Sequence, residues 1–146
     1  MSVSRNWMAL FPGQGAQSVG MGRELFENFA AAREVFEEAS DAISKDLKKL
    51  CFEGPDAELT LTENTQPALM AMSMAVLRVL QKEGNFDLGA KVSFVAGHSL
   101  GEYSALTGAG TFSLSDAARV LKERGRAMQQ AVPVGKGAMA ALLAVG

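Results

Sequence analysis

The sequence predicts an α/β fold, and three observations carry that prediction. Two short apolar runs, residues 7–11 and 91–96, have strand character. The stretches between and after them repeat their apolar residues at helical spacing, so strands alternate with helices. The second run leads into Val95-Ala96-Gly97-His98-Ser99-Leu100-Gly101-Glu102, a Gly-x-Ser-x-Gly sequence. That is the form of a nucleophile elbow, in which a strand ends, the backbone turns sharply and a helix begins under an exposed serine.

In chain order, Trp7-Met8-Ala9-Leu10-Phe11 is continuously apolar and reads as a buried strand, as in a parallel sheet. Phe11-Pro12-Gly13-Gln14-Gly15-Ala16-Gln17 follows as a loop whose amides can face a developing negative charge. Residues 25–43 are helical, with a break expected near Asn28. Phe29, Ala32, Phe36, Ala39 and Ile43 line one face, while Arg33, Glu34, Glu37, Glu38 and Asp41 lie mostly on a solvated one. Lys45, Lys48 and Lys49 form a small exposed basic cluster, and residues 52–56 read as a turn. Thr65-Gln66-Pro67 opens a helix to about Glu83, with proline in the first turn where its missing N–H is harmless. This helix is apolar nearly all round, so most of its faces are buried, with methionines as core filler. After the elbow strand, residues 102–108 continue as a helix. Ser113 and Asp116 form a capping box for another, expected over residues 114–131. Residues 138–145 begin a further strand.

Composition narrows the function. The 146 residues, 48% hydrophobic and 21% charged, suit a globular domain with a core. A net charge of -2 argues against a nucleic-acid partner. The lone cysteine, Cys51, allows no internal disulfide and reads as a buried apolar residue. Residues 1–6 lack a signal-peptide layout and no apolar run reaches membrane-spanning length, so the expectation is cytoplasmic, with no membrane partner.

The chemistry centres on Ser99. A serine hydroxyl needs a base, usually histidine, within hydrogen-bond reach. The one histidine, His98, adjoins Ser99, and neighbouring side chains around a tight turn diverge. His98 is therefore expected to pack beside the elbow, and the base to lie elsewhere. The backbone N–H of Leu100, at a helix N-terminus, is an oxyanion donor in such an elbow. The second donor is expected from the loop after another strand, with Gln14 the candidate. On the last helix the apolar stripe is Ala117, Val120, Leu121, Met128 and Ala131, and Arg124 falls inside it. A guanidinium on an inner face calls for an anionic partner: a structural carboxylate, or the carboxylate of a substrate held bidentately. Position leaves both open.

Four stretches carry a family likeness: Phe11-Pro12-Gly13-Gln14-Gly15-Ala16-Gln17, Thr65-Gln66-Pro67-Ala68, Gly97-His98-Ser99-Leu100-Gly101-Glu102-Tyr103 and Arg124-Gly125-Arg126-Ala127-Met128-Gln129. In this order they resemble the malonyl-CoA:acyl carrier protein transacylases, bacterial acyltransferases of fatty acid synthesis, and the likeness covers essentially the whole chain. The resemblance implies a serine that takes malonyl from coenzyme A as an ester and passes it to the phosphopantetheine thiol of acyl carrier protein. It implies Ser99 as nucleophile, Gln14 and Leu100 as oxyanion donors, and Arg124 as the malonyl carboxylate's partner. Gln66 and His98 would line the substrate site. Malonyl-CoA is then a substrate, with no resident cofactor and no metal. The fold implied is an α/β-hydrolase-like parallel-sheet domain, incomplete here, plus the first strand of an inserted ferredoxin-like subdomain. Residues 1–132 would belong to the large domain, and residues 133–146 to a linker and that strand.

The family's histidine base lies in its second half, which nothing here matches. Two strands are also too few for an open sheet covered on both faces. Both points lead to the expectation of an N-terminal part of a larger protein, monomeric at full length, with the 146 residues alone inactive. The alternatives are a serine hydrolase or thioesterase, or an inactive truncated product.

Overall fold

The computed structural model describes residues 7–132 and 135–137. The last run, expected as a strand from Ala138, lies outside them, as do residues 1–6. The order among the described residues is β1 (Trp7–Phe11), α1 (Arg23–Asn28), α2 (Ala30–Ile43), α3 (Leu47–Glu53), α4 (Asp56–Leu59), α5 (Thr62–Glu83), α6 (Leu88–Lys91), β2 (Val92–Gly97), α7 (Leu100–Gly108) and α8 (Leu114–Ala131). The two strands pair in parallel, with Leu10 opposite Ala96 and Phe11 opposite Gly97. The α/β order and the parallel pairing are as expected.

The core lies among the helices. α5 packs against α2, α7 and α8, and α2 closes the cluster against α8. Phe36, Leu47, Leu59, Met70, Met74 and Leu121 are fully buried there. The α2 stripe points inward as predicted, with Ala32, Phe36, Ala39 and Ile43 buried and Phe29 packed at the margin. The expected break falls at Phe29, whose extended backbone separates α1 from α2. Arg33 is not simply solvated: its Nη1 donates to the carbonyls of Phe26 and Glu27, satisfying acceptors at the break. Lys45 of the basic cluster pairs with Glu58 at 2.7 Å, which holds that carboxyl below its usual pKa by hydrogen bond and charge. Ser113 Oγ accepts from the Asp116 N–H at 3.1 Å, so the cap of α8 forms where the capping box placed it.

Several expectations are corrected. β1 is a strand but not a buried one: Trp7, Met8 and Leu10 are 60%, 54% and 71% exposed, as is Phe94 of β2 at 64%. Ala9, Phe11, Val92 and Val95 pack against the core. A continuously apolar strand needs cover on both faces, and helices among the described residues cover one. β2 begins at Val92, because Lys91 closes the short helix α6, capped by Asp87. The turn expected over residues 52–56 contracts to Gly54-Pro55, between the end of α3 and the start of α4. α5 starts at Thr62, so Pro67 sits inside the helix and not in its first turn. The Leu61 carbonyl accepts from the N–H groups of Asn64 and Thr65, starting the helix earlier than the proline suggested. α5 also keeps a wetter edge than its composition implied, with Val76 and Leu80 exposed. On α8, Val120 and Ala131 are exposed, and the buried line is Leu114, Ala117, Ala118, Leu121 and Gly125. Arg124 therefore stands at the edge of the inner face, not in its middle.

Candidate active site

Ser99 stands between the end of β2 and the first residue of α7. Its backbone is at φ 55° and ψ -113°, a conformation that side-chain-bearing residues rarely adopt and that costs about 1–3 kcal/mol. The surroundings hold it there. The His98 N–H donates to the Phe11 carbonyl at 3.2 Å, and the His98 carbonyl accepts from the Gly101 N–H at 2.9 Å. A Cβ on Gly97 would overlap the Gly101 carbonyl, and one on Gly101 would overlap the Phe11 carbonyl. Glycine at both positions lets β1, β2 and α7 meet at backbone distance. The elbow predicted from the Gly-x-Ser-x-Gly pattern is present, with Ser99 exposed at its apex.

The loop after β1 closes against this turn. Gly13 packs beside the His98 ring, where an added Cβ would come within 2.5 Å of Nδ1. His98 thus leans on the loop, and it makes no hydrogen bond to Ser99 among the described residues. Gln14 is exposed, and its Nε2 donates to Thr62 Oγ at 3.3 Å, at the start of α5. The backbone N–H groups of Gln14 and Leu100 find no acceptor among the described residues. Both remain available, and that of Leu100 opens a nine-residue helix whose dipole favours negative charge.

Arg124 reaches the elbow from α8. Its Nη2 donates to Ser99 Oγ at 3.1 Å and its Nη1 to Gln66 Oε1 at 2.7 Å. Gln66 is 1% exposed on α5, and its Nε2 points at Met128 Sδ, 3.4 Å away. The guanidinium lies over the Tyr103 ring, 5.6 Å from its centroid. The anionic partner expected for this arginine is absent among the described residues: its partners are a neutral amide, a hydroxyl and a ring. The group is half-buried, so water screens part of its charge and neutral acceptors hold the rest. Two of the five N–H donors of a guanidinium are engaged, which leaves three without a partner among the described residues.

Gly125 makes this meeting possible. A Cβ there would stand 2.6 Å from Glu63 Cα, so α8 crosses α5 at a separation that only glycine allows. The same crossing sets Arg124 beside Gln66. A cavity of about 690 Å³ has Thr62 and Met128, the partners of Gln14 and Gln66, in its walls, but is not lined by Ser99, Gln66 or Arg124.

Of the predicted site residues, Ser99, Arg124 and Gln66 form one hydrogen-bonded chain, with Leu100 and His98 on either side of the serine. Gln14 joins through its loop. Tyr103, Thr62 and Met128 are not among the predicted site residues, although Tyr103 and Met128 lie in the family stretches and Met128 on the α8 stripe. Tyr103 could have been found, because it lies in the first turn of α7, the helix that the Ser99 elbow opens. Thr62 carries no such signal. Among the described residues no three His, Cys, Asp or Glu side chains gather as metal ligands, and no helix is long and apolar enough to cross a membrane.

Known proteins resemble this chain in sequence and fold. A malonyl CoA-acyl carrier protein transacylase of Bacillus subtilis is 50% identical over 140 residues, 96% of this chain and 34% of its own length. Its Escherichia coli K12 counterpart is 48% identical over 134 residues, 92% of this chain and 42% of its own. The chain thus spans well under half the length of these relatives. The crystal structure of an acyl-carrier-protein-S-malonyltransferase from Bartonella henselae superposes with a TM-score of 0.84 and 62% identity, over 88% of this chain and 41% of that one. The model of the acyl transferase domain matches residues 8–145, and the chain belongs to that family.

Proposed function

We propose that the full-length protein transfers a malonyl group from coenzyme A to the phosphopantetheine thiol of acyl carrier protein, for fatty acid synthesis. The observation that carries this reading is the Arg124 guanidinium, held 3.1 Å from Ser99 Oγ with no carboxylate partner among the described residues. A fork so placed suits an acyl group that ends in a free carboxylate. The names of the relatives point the same way.

Ser99 Oγ attacks the thioester carbonyl and gives its proton to a base. The N–H groups of Gln14 and Leu100 receive the oxyanion, and the carbon–sulfur bond breaks. Coenzyme A leaves as the thiol after taking up a proton, and malonyl stays on Ser99 as an ester. The carrier thiol then attacks that ester, its proton passes through the same base, and Ser99 regains its hydroxyl. Arg124 holds the malonyl carboxylate throughout, Gln66 holds Arg124, and His98 braces the elbow at the substrate's edge. Such ester exchange needs no resident metal or cofactor. The base is a histidine outside these 146 residues, so the chain alone is inactive. The uncovered face of β1 and β2 supports its being the N-terminal part of an α/β-hydrolase-like domain, residues 1–132. Residues 133–146 lead into a ferredoxin-like subdomain. The whole is a cytoplasmic monomer whose acyl carrier protein partner fits a structure described as a type II PKS acyl-carrier protein in complex with its malonyl-transacylase, 45% identical to this chain.

Incubating the full-length protein with malonyl-CoA should add one malonyl group at Ser99, read by intact mass. Labelling that persists in Ser99→Ala would overturn the assignment.

A further inference from the structure

We infer that Tyr103 is a positioning residue that holds the Arg124 fork for the acyl carboxylate through the face of its ring. The inference rests on the proposed role of Arg124 and extends it to a residue with no assigned part. Three observations converge. First, the Arg124 guanidinium carbon sits 5.6 Å from the Tyr103 centroid, within the range in which a cation is attracted to a ring face. Second, Tyr103 lies on α7, the helix that Ser99 caps, so one element carries both the ring and the nucleophile that meet Arg124 of α8. Third, the ring is stacked with Phe112, the centroids 6.3 Å apart and the planes at 13°. Phe112 precedes the Ser113 cap of α8, so the stack is tied to the helix that carries Arg124.

The hydrogen bonds to Gln66 and Ser99 fix two corners of the guanidinium but leave it free to tilt about the line joining them. A ring beneath the plane removes that freedom. It does so without using an N–H donor, and without an anion that would compete with the substrate carboxylate. An acidic residue in the same place would neutralise the fork. An aliphatic one would desolvate the charge with no return. The Tyr103 hydroxyl makes no hydrogen bond among the described residues, so the ring and not the phenol is the working part.

The test compares malonyl-CoA with acetyl-CoA as acyl donors to the full-length protein. Tyr103→Phe should match the parent. Tyr103→Leu should raise the KM for malonyl-CoA about three- to tenfold while kcat and acetyl transfer stay within about twofold. Phenylalanines of increasing fluorination at position 103, which keep the shape and drain the ring face, should raise that KM stepwise, and they remain decisive if Tyr103→Leu does not fold. A flat fluorination series, or equal losses for both donors, would overturn the positioning role. Arg124→Ala, measured alongside, separates the two ideas. Selective malonyl loss there with a flat Tyr103 series rejects only the ring's role, whereas equal loss of both donors in Arg124→Ala rejects the carboxylate fork itself.

Discussion

Arg124 Nη2 donates a hydrogen bond to Ser99 Oγ at 3.1 Å, across 25 residues of chain. The contact joins a cation that has no anion among the described residues to the oxygen at the apex of a strained turn. In the proposed reaction, a substrate carboxylate takes the remaining donors of that guanidinium while its carbonyl lies against the serine. On that proposal, selectivity and chemistry are coupled through one side chain.

Arg124→Ala should therefore reduce malonyl transfer far more than acetyl transfer. Loss of a charge-assisted bidentate contact is worth about 3 kcal/mol, or roughly a hundredfold in kcat/KM. Arg124→Lys should recover little of it, because an ammonium cannot present the planar fork. Steady-state kinetics with both donors decides the point.

Gly125→Ala tests the helix crossing that brings the arginine to its place. The new methyl would press on the Glu63 backbone, which has no flexible end to yield. Overpacking of this kind costs about 1–3 kcal/mol. The expected result is a lower Tm together with weakened malonyl selectivity, since α8 must move away from Gln66. A stability loss with unchanged selectivity would show that the crossing and the site are independent.

Cys51 is fully buried, and burial pushes its thiol pKa from 9.0 up to about 12, with Asp46 adding to the effect. The folded protein should resist alkylation by iodoacetamide at pH 8, whereas denaturant should release one reactive thiol. The raised pKa also has a sign for stability. The contribution is complete below pH 9 and declines as pH rises toward 12, because the unfolded thiol ionises first. Cys51→Ala should flatten that alkaline decline in a pH series of denaturation midpoints.

The 146 residues prepared alone should bind hydrophobic dyes strongly and show no transfer activity. Trp7, Leu10 and Phe94 leave apolar side chains exposed on both strands, and no base reaches Ser99 among the described residues. Full activity from these 146 residues alone would contradict the missing-base reading.

Legibility in the sequence followed the range of the interaction. The elbow, the cap at Ser113, the break beside Asn28 and the inward line of α2 depend on neighbours within a few residues. Turn sterics, capping chemistry and 3.6-residue periodicity express them directly in the order of side chains. Ser99 and the Leu100 N–H belong to this class. Arg124 was legible only as a charge close to an apolar stripe, and the carboxylate expected beside it is replaced by Gln66, Ser99 and the Tyr103 ring. Periodicity says which face of a helix is apolar, but not which other helix it meets or how closely. That was settled at Gly125, where two backbones approach and bring residues 58 positions apart into a 2.7 Å hydrogen bond. The exposure of β1 has the same origin, because an apolar run reports that a strand can be covered on both faces, while burial depends on what packs against it.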